Sequence, residues 1–257
     1  LEEIYLEIVK RPIAKKTVLI GGTNGKGTTA EYLKNFFIAS GKKVGVYTSP
    51  HLIEFNERIK INNISSSDEE IIKSFEKIDK IKNKTRLTYF DFATLAAFDI
   101  FSKEDLDIAI LEIGIGGKYD PVNLIDADLS IITNIELDHE KWLGSSLEEI
   151  GLQKAAILKP GKSAILGSGI MPASVTSQAK KTCTYYQLNN DFLIQECDSG
   201  WSYNFLDKHF EIKGLPYGNL NRESAASAIT AFQLLSEEHI DFKSIIERTN
   251  LKGRCDV

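Results

Sequence analysis

The sequence has few of the residues that mark secreted, membrane-spanning or nucleic-acid-binding proteins. Its only cysteines, Cys183, Cys197 and Cys255, are too few and too scattered for a disulfide framework or a zinc cluster. No apolar run approaches the ~18 residues that a membrane-spanning helix needs. The net charge of −5 argues against a nucleic-acid partner, which usually requires a basic face. We therefore expect a cytoplasmic protein with free thiols, no membrane anchor and no bound nucleic acid.

The composition and the hydrophobic pattern are typical of a globular α/β protein. Hydrophobic residues make up 42% of the 257 residues and charged residues 26%, as in ordinary globular domains. Short apolar runs of strand length alternate with helical patterns. The strands are predicted at 17–20, 44–48, 107–113, 129–135 and 163–166, and the helices at 30–40, 68–80, 89–101 and 147–158. We therefore predict a mostly parallel, doubly wound sheet covered by helices on both faces.

The pattern changes after about residue 184. Runs at 192–197, 201–205 and 209–212 alternate between apolar and polar residues and are separated by turn residues, which predicts a small antiparallel sheet. An alanine-rich helix over 223–235 follows. We take residues 1–250 as one domain.

A glycine-rich turn separates the first predicted strand from the next helix. Its residues are Gly21, Gly22, Thr23, Asn24, Gly25, Lys26, Gly27, Thr28 and Thr29. Backbone N–H groups at such a turn and at a helix N-terminus bind anions, and a lysine adds positive charge beside the phosphates. The spacing departs from the strict G-x-x-x-x-G-K-[ST] pattern. The turn therefore indicates a nucleotide phosphate site, and the alternative is a strand–helix turn whose glycines serve geometry alone.

Residues 22–29 resemble the phosphate loop of the Mur ligase superfamily, and specifically that of its dihydrofolate synthase/folylpolyglutamate synthase family. Further stretches match this family in order and in spacing: 47–52 (YTSPHL), 56–59 (NERI), 87–91 (LTYFD), 111–118 (LEIGIGGK), 137–139 (LDH), 154–157 (KAAI) and 253–254 (GR). The resemblance implies that 1–250 form the central ATPase domain. It also implies that 251–257 begin a linker to a C-terminal Rossmann-like domain that this chain lacks.

The resemblance implies an ATP-dependent ligase of the bacterial bifunctional kind. Such an enzyme joins L-glutamate to 7,8-dihydropteroate, which forms dihydrofolate, and adds glutamate to reduced folates. A carboxylate is a poor electrophile, so ATP first converts it into an acyl phosphate, which the amine of glutamate attacks. Because two anions must meet, cations and N–H donors are required beside the phosphate loop. Family members are commonly monomers, and we expect a monomer here.

The resemblance also implies two Mg²⁺ ions. The Ser49 hydroxyl and Glu112 are implied as ligands of the first ion, since a hard cation prefers oxygen. The second ion is implied at His139 and at Lys154, after CO₂ has converted this lysine into a carbamate. Lys26, His139 and Lys154 are the implied catalytic residues. The alternatives are a capping or salt-bridged role for Glu112 and an ordinary helical lysine at 154.

The remaining implied contacts concern the pterin-bearing substrate and the nucleotide. The substrate residues are Thr88, Tyr89, Phe90, Asp91, Tyr119, Asp120 and Pro121. The nucleotide residues are Thr23, Asn24, Gly25, Lys26, Gly27, Thr28, Thr29, Ser224 and Arg254. The sequence departs from the family pattern at Asp91, Lys118, Pro121 and Ser224, where the family usually has Glu, Arg, Ala and Asn.

Three other functions are compatible with a phosphate loop. The nearest is another Mur-type amino-acid ligase, although the stretches 48–52 and 56–59 favour the folate branch. A nucleotide-binding module without ligase activity is the second, and the short chain supports it. The third is a P-loop kinase, against which the implied second-metal pair, His139 and Lys154, argues.

Overall fold

The computed structural model describes residues 1–197, 200–206, 208–213 and 221–249. The strands of its main sheet are β1 (Lys16–Gly21), β2 (Val44–Tyr47), β3 (Ile59–Ile61), β4 (Ile64–Ser65), β5 (Ile108–Glu112), β6 (Leu129–Ile132), β7 (Ser163–Leu166) and β8 (Thr184–Gln187). A second, small sheet consists of β9 (Phe192–Cys197), β10 (Gly200–Phe205) and β11 (Lys208–Lys213).

The helices fill the intervals between the strands. They are α1 (Glu2–Ile8), α2 (Lys26–Ala39), α3 (Asp68–Ile81), α4 (Tyr89–Phe101), α5 (Glu140–Leu143), α6 (Leu147–Ala155), α7 (Ala173–Thr182), α8 (Arg222–Leu235) and α9 (Phe242–Arg248). Short 3₁₀ turns lie at Phe55–Arg58 and Pro121–Leu124. Of the helices in the described part of the chain, none combines the length and the hydrophobicity needed to cross a bilayer.

The order of the strands places β1 near the middle of the main sheet. That order is β4-β3-β2-β5-β1-β6-β7-β8, and the six strands from β2 to β8 in this order pair in parallel. The hairpin of β3 and β4 adds an antiparallel edge beside β2. The predicted doubly wound α/β sheet and the small antiparallel sheet are both confirmed. The β3–β4 hairpin, α7 and β8 are elements that the sequence analysis did not predict.

Buried side chains of the central strand alternate between two cores. Leu19 belongs to a cluster on the face covered by α1, α3, α4, α6 and α7. Val18 and Ile20 belong to a cluster on the opposite face, with α2, α8, α9 and the small sheet. Both faces of β1 are therefore covered, as expected for a strand inside a parallel sheet.

Local capping explains where several helices begin. Ser67 caps α3 and Thr88 caps α4, each in a reciprocal capping box with the side chain three residues later. Helix α2 begins at Lys26, four residues before the predicted start, because Gly25 with φ 82° serves as its N-cap. Helix α6 ends at Ala155, three residues before the predicted end. The predicted linker at 251–257 lies outside the described residues.

Truncating a side chain of the central strand tests the two-sided core. Leu19 is fully buried, so Leu19→Ala should lower the free energy of unfolding by about 2–5 kcal/mol. Leu6 on α1 is 59% exposed, and Leu6→Ala is the matched control, expected within about 0.5 kcal/mol of the unsubstituted chain. Urea titration of the three proteins measures both values. Equal destabilisation by the two substitutions would contradict this description of the core.

Candidate active site

Four neighbouring strands bring the motif residues to one edge of the main sheet. The parallel register pairs Ile20 of β1 with Glu112 of β5, and Leu111 of β5 with Tyr47 of β2. It also pairs Gly21 of β1 with Ile132 of β6. The segments that follow these strands therefore meet at their carboxyl ends, which is where open α/β sheets bind ligands.

The loop between β1 and α2 has the backbone of an anion site. Gly22 and Gly25 have φ values of 137° and 82°, which residues with a side chain rarely adopt. The N–H groups in the first turn of an α-helix have no acceptor within the helix, and the helix dipole makes this end positive. No acidic side chain lies in the first turn of α2. The structure therefore places Gly25, Gly27 and Thr28 where their N–H groups suit a phosphate.

The segment after β6 holds this loop in place. Asn134 accepts hydrogen bonds from the Thr23 N–H through its backbone oxygen at 2.9 Å and from the Asn24 N–H through its side chain at 2.8 Å. The Asn24 side chain donates to Glu136 Oε2 at 2.9 Å, and Glu136 N donates to the Thr23 hydroxyl at 2.9 Å. Thr23 and Asn24, which are predicted to bind nucleotide, are thus held in place by the segment after β6.

Two lysines share one carbonyl of the loop. Lys154 Nζ donates to Gly22 O at 2.7 Å, and Lys26 Nζ donates to the same oxygen at 3.1 Å. Lys154 is only 3% exposed. Burial, with a smaller effect from the nearby charge of Lys26, lowers the pKa of Lys154 to about 8. The phosphate loop is therefore flanked by Lys26 and by a second, buried lysine, Lys154, whose pKa is lowered.

Glu112 and Ser49 lie beside the first turn of α2. Glu112 is 5% exposed, and its Oε2 accepts the Ser49 N–H at 3.0 Å. A Cβ added to Gly27 would lie 3.8 Å from the same oxygen. No group of three or more His, Cys, Asp or Glu side chains suited to a metal is found in the described residues. A buried carboxylate and a hydroxyl beside a phosphate loop nevertheless fit Mg²⁺, which keeps waters and phosphate oxygens as ligands.

His139 occupies a separate loop after β6. It is the N-cap of α5 with φ 51°, its side chain is half-exposed, and its Nε2 lies 3.6 Å from Asp138 Oδ2. Lys154, the other predicted ligand of a second ion, lies on α6. An ammonium group is a donor and cannot ligate a metal, so the predicted pair requires the carbamate.

The predicted substrate residues at 88–91 form the start of α4. Asp91 Oδ2 accepts both the Thr88 N–H at 2.7 Å and the Thr88 hydroxyl at 2.8 Å. Tyr89 is 59% exposed, and Phe90 lies against Gly114, where an added Cβ would come within 2.7 Å of its ring. Thr88 and Asp91 thus fix the N-terminus of α4, while the ring of Tyr89 is exposed to solvent.

The predicted residues at 119–121 form a tight turn after β5. The Asp120 carboxylate accepts three backbone N–H groups, those of Gly114, Ile115 and Val122, at 2.9–3.0 Å. Burial outweighs these bonds and raises the pKa of Asp120 to about 6. Tyr119 is 83% exposed, and Pro121 begins the 3₁₀ turn. Asp120 therefore shapes the glycine-rich turn, and Tyr119 is the member of this group that solvent reaches.

Arg58 ends the segment Ser49 to Arg58, which the resemblance implies as the loop over the substrate, although no contact was predicted for its side chain. It is 7% exposed, its Nε donates to His51 Nδ1 at 2.8 Å, and its guanidinium lies 5.4 Å from the ring centre of Tyr89 and 5.8 Å from that of Phe55. Such stacking is typical of arginine. The match of the stretch 56–59 to the family pointed to Arg58. Its contacts with the rings of Tyr89 and Phe55 form only in the folded chain.

A small cleft lies between the phosphate loop, the segment after β6 and the start of α8. Ser224 at the start of α8 is buried, and its hydroxyl donates to Gly25 O at 3.4 Å. Asn24, Thr133, Gly167 and Ser224 are among the residues that line the cleft. The predicted nucleotide residue Ser224 is therefore adjacent to the loop, whereas Arg254 lies outside the described residues.

Comparisons with known proteins show which proteins this chain is similar to. Residues 20–189 match the Mur ligase middle domain. The dihydrofolate synthase/folylpolyglutamate synthase of Buchnera aphidicola subsp. Schizaphis graminum is 40% identical over 91% of this chain and 57% of its own length. The enzyme of the same name from Haemophilus influenzae is 37% identical over 92% of this chain and 54% of its own length. The chain thus spans little more than half of these curated relatives.

Solved structures are similar over nearly the whole chain. E. coli FolC in complex with DHPP and ADP superposes with a TM-score of 0.91 and 33% identity, covering 99% of this chain and 61% of that protein. A bifunctional folylpolyglutamate synthase/dihydrofolate synthase with Mn, AMPPNP and L-glutamate bound gives a TM-score of 0.87 and 34% identity, over 98% of this chain and 62% of that one.

The close approach of Gly22 to the segment after β6 can be tested by adding a methyl group. A Cβ at Gly22 would lie 1.9 Å from the Thr133 hydroxyl and 3.0 Å from the Thr133 backbone nitrogen. Gly41 also has a positive φ, 78°, but nothing within 4 Å, so Gly41→Ala measures the strain of an alanine in the left-handed region without a close contact, about 1 kcal/mol. Gly22→Ala should lower the free energy of unfolding by at least ~1–3 kcal/mol more. Denaturant titration compares them, and equal losses would contradict the contact.

The buried amine of Lys154 predicts a pH-dependent stability. Its pKa of about 8 in the folded chain is below the ~10.4 of an unfolded lysine. Between these values the unfolded chain binds more protons, so the Lys154 contribution to the free energy of unfolding rises with pH, by on the order of 3 kcal/mol in total.

Lys154→Met supplies the reference for this measurement because it has no amine. From about pH 8 to about pH 10, the unsubstituted chain should gain stability relative to Lys154→Met. Its free energy of unfolding minus that of the variant should therefore rise over this range. Urea titration over this range measures it. A difference that does not change with pH would show that Lys154 is solvated.

Proposed function

Because this chain belongs to the Mur ligase family through its middle domain, we propose that it supplies the ATP- and substrate-binding site of a glutamate ligase of folate metabolism. The reaction would join L-glutamate to 7,8-dihydropteroate and to reduced folates. The observation that carries the proposal is the convergence of the phosphate loop, Glu112 and Lys154 at one edge of the sheet. The printed names of the relatives and the ligands of the similar structures support it.

The reaction begins with transfer of the γ-phosphoryl group of ATP to the substrate carboxylate. A carboxylate oxygen attacks the γ-phosphorus, the bond to the β-phosphate oxygen breaks, and ADP leaves. The amine of glutamate then attacks the carbonyl carbon of the acyl phosphate, loses a proton and expels inorganic phosphate. In the proposed site the N–H groups at the start of α2 and the ammonium of Lys26 bind the phosphates, which reduces the repulsion between the two anions.

Glu112 and Ser49 are the residues that would hold a magnesium ion at this site. Glu112 Oε2 lies 3.8 Å from where a Cβ on Gly27 of α2 would be, and it accepts the Ser49 N–H at 3.0 Å. When bound, Mg²⁺ neutralises charge that develops on the phosphates. The carboxylate of Glu112 is already oriented by this N–H, so little reorganisation is required of the chain itself.

Lys154 and His139 are proposed to serve a second ion after CO₂ adds to the lysine. The neutral amine of Lys154 attacks CO₂ and releases one proton to solvent, so a group that donated hydrogen bonds becomes an anionic oxygen ligand. The lowered pKa of Lys154 supports this step, because the neutral amine is the form that reacts. The carbamate would also change the contact that Lys154 now makes with Gly22 O.

Exposed aromatic side chains at the same edge suit a flat heterocyclic substrate. Tyr89 and Tyr119 are 59% and 83% exposed, and the guanidinium of Arg58 already lies over the Tyr89 ring at 5.4 Å. Aromatic and guanidinium planes stack on such rings. We therefore propose that the substrate enters between the start of α4 and the turn after β5. As the family resemblance implies, we also propose that the protein acts as a monomer.

Product analysis with two acceptors tests the proposed reaction. The protein is supplied with ATP, Mg²⁺ and L-glutamate, and then with 7,8-dihydropteroate or tetrahydrofolate, while ADP release and product mass are followed. A gain of one glutamate on both acceptors is the expected result, and a gain on one alone would assign a single activity. No gain on either acceptor, with ATP still bound, would overturn the ligase assignment in favour of a nucleotide-binding module or a different Mur-type ligase.

Two substitutions separate phosphate binding from metal binding. Lys26→Met should weaken ATP binding by at least ~10-fold, because a charge-assisted contact to the phosphates is lost. Glu112→Gln should reduce turnover by about 10²–10³-fold, with a smaller effect on nucleotide binding. Lys73→Met, at an exposed ion pair on α3, is the control and should leave both quantities unchanged. Activity of Glu112→Gln equal to that of the control would contradict the role of the carboxylate.

A further inference from the structure

Thr133 lies directly behind the phosphate loop, at the start of the segment after β6. It is 6% exposed. Its hydroxyl donates to Asn24 O at 2.6 Å and lies 3.3 Å from Gly21 O, and its backbone N–H donates to Gly21 O at 2.9 Å. A threonine that no loop motif contains thus contacts two carbonyl groups of the glycine-rich turn, those of Gly21 and Asn24.

Each of the four carbonyls from Gly21 to Asn24 accepts a hydrogen bond from Thr133 or from a lysine. The backbone N–H of Thr133 holds the Gly21 carbonyl. Lys154 and Lys26 hold the next carbonyl, that of Gly22. Lys26 also holds the Thr23 carbonyl at 3.0 Å. The carbonyl of Asn24 is held by the Thr133 hydroxyl, so this one hydroxyl fixes the peptide group that leads into Gly25, the N-cap of α2.

Because the peptide group is planar, the bond between the Thr133 hydroxyl and Asn24 O also fixes the direction of the Gly25 N–H. In a trans peptide the C=O and the following N–H point in opposite directions. Because Asn24 O points at Thr133, the N–H of Gly25 points away from Thr133 and the segment after β6. Gly25 has φ 82°, and glycine offers little resistance to rotation of the adjoining peptide group. The orientation therefore depends on an external donor.

We propose that Thr133 is a positioning residue for nucleotide binding, whose hydroxyl orients the Asn24–Gly25 peptide group so that the Gly25 N–H meets a phosphate oxygen. The inference rests on the proposed function, in which this loop binds the phosphates of ATP. Thr133 does not itself touch the nucleotide in this account. Thr133 acts through the loop, because its buried hydrogen bond to Asn24 O is already formed before the ligand binds.

The substitutions must separate the hydroxyl of Thr133 from its bulk. Thr133→Val keeps the volume and removes the hydroxyl, Thr133→Ala removes both the hydroxyl and the methyl group, and Thr133→Ser keeps the hydroxyl alone. The alanine variant is needed because a methyl group could press on Asn24 O, which lies only 2.6 Å from the present hydroxyl oxygen. Thr133→Val and Thr133→Ala should bind Mg·ATP about tenfold more weakly, the usual effect of one lost hydrogen bond. Thr133→Ser should stay within about twofold of the unsubstituted chain.

Thr230 provides a matched control in a different part of the fold. Its buried hydroxyl bonds to Tyr203 Oη at 2.7 Å and to Ala226 O at 2.9 Å. Thr230→Val should therefore lower the melting temperature, as the Thr133 variants do, and leave the affinity for Mg·ATP unchanged. Calorimetric titration with Mg·ATP and thermal unfolding are measured on all of these proteins. The rescue by serine distinguishes a positioning hydroxyl from a purely structural contact.

The possible results separate this inference from the proposed function. Failure of the unsubstituted protein to bind Mg·ATP would overturn both. Normal binding by the unsubstituted protein together with unchanged binding by folded Thr133→Val and Thr133→Ala would overturn the role of Thr133 alone. Weakened binding by Thr133→Ser as large as that by Thr133→Ala would also overturn it, because the hydroxyl would then not be the group that matters.

Discussion

The site depends on the hydrogen bonds that join the loop after β1 to the segment after β6. A phosphate-binding loop must point several N–H groups towards a ligand, and a chain of glycines cannot hold such a conformation alone. Here Asn134 accepts hydrogen bonds from the N–H groups of Thr23 and Asn24. Thr133 donates hydrogen bonds to the carbonyls of Gly21 and Asn24. The donors at the start of α2 are left facing the edge of the sheet, where β1 and β6 end side by side.

The charges around this loop follow from the same geometry. Parallel register places Glu112 beside the end of β1, and the loop carbonyl of Gly22 receives both Lys26 and Lys154. Lys154 is buried there, which lowers its pKa, while Lys26 adds positive charge next to the helix N-terminus. The buried Glu112 side chain, Lys26 and a second lysine with a lowered pKa thus lie around one turn, a combination suited to bringing two anions together.

Patterns within a few residues were enough to predict the α/β class, the strand Ser163–Leu166 and the bounds of α4 at Tyr89–Phe101. The hairpin of β3 and β4 escaped prediction because strands of three and two residues carry no readable alternation. The start of α2 was hidden inside the glycine-rich turn, since Gly25 and Gly27 interrupt any hydrophobic period. Thr133 could not be identified as part of the site, because its contacts reach 109 residues back along the chain.

Residue-resolved amide hydrogen exchange, with and without Mg·ADP, tests whether the segment after β6 holds the phosphate loop ready for nucleotide. We expect the N–H groups of Thr23 and Asn24 to be protected without nucleotide, because both are bonded to Asn134. We expect Gly25, Gly27 and Thr28 to gain protection only when nucleotide binds. Fast exchange at Thr23 and Asn24 in the absence of nucleotide, or no change at Gly25, Gly27 and Thr28 in its presence, would show that the loop is not held in this way.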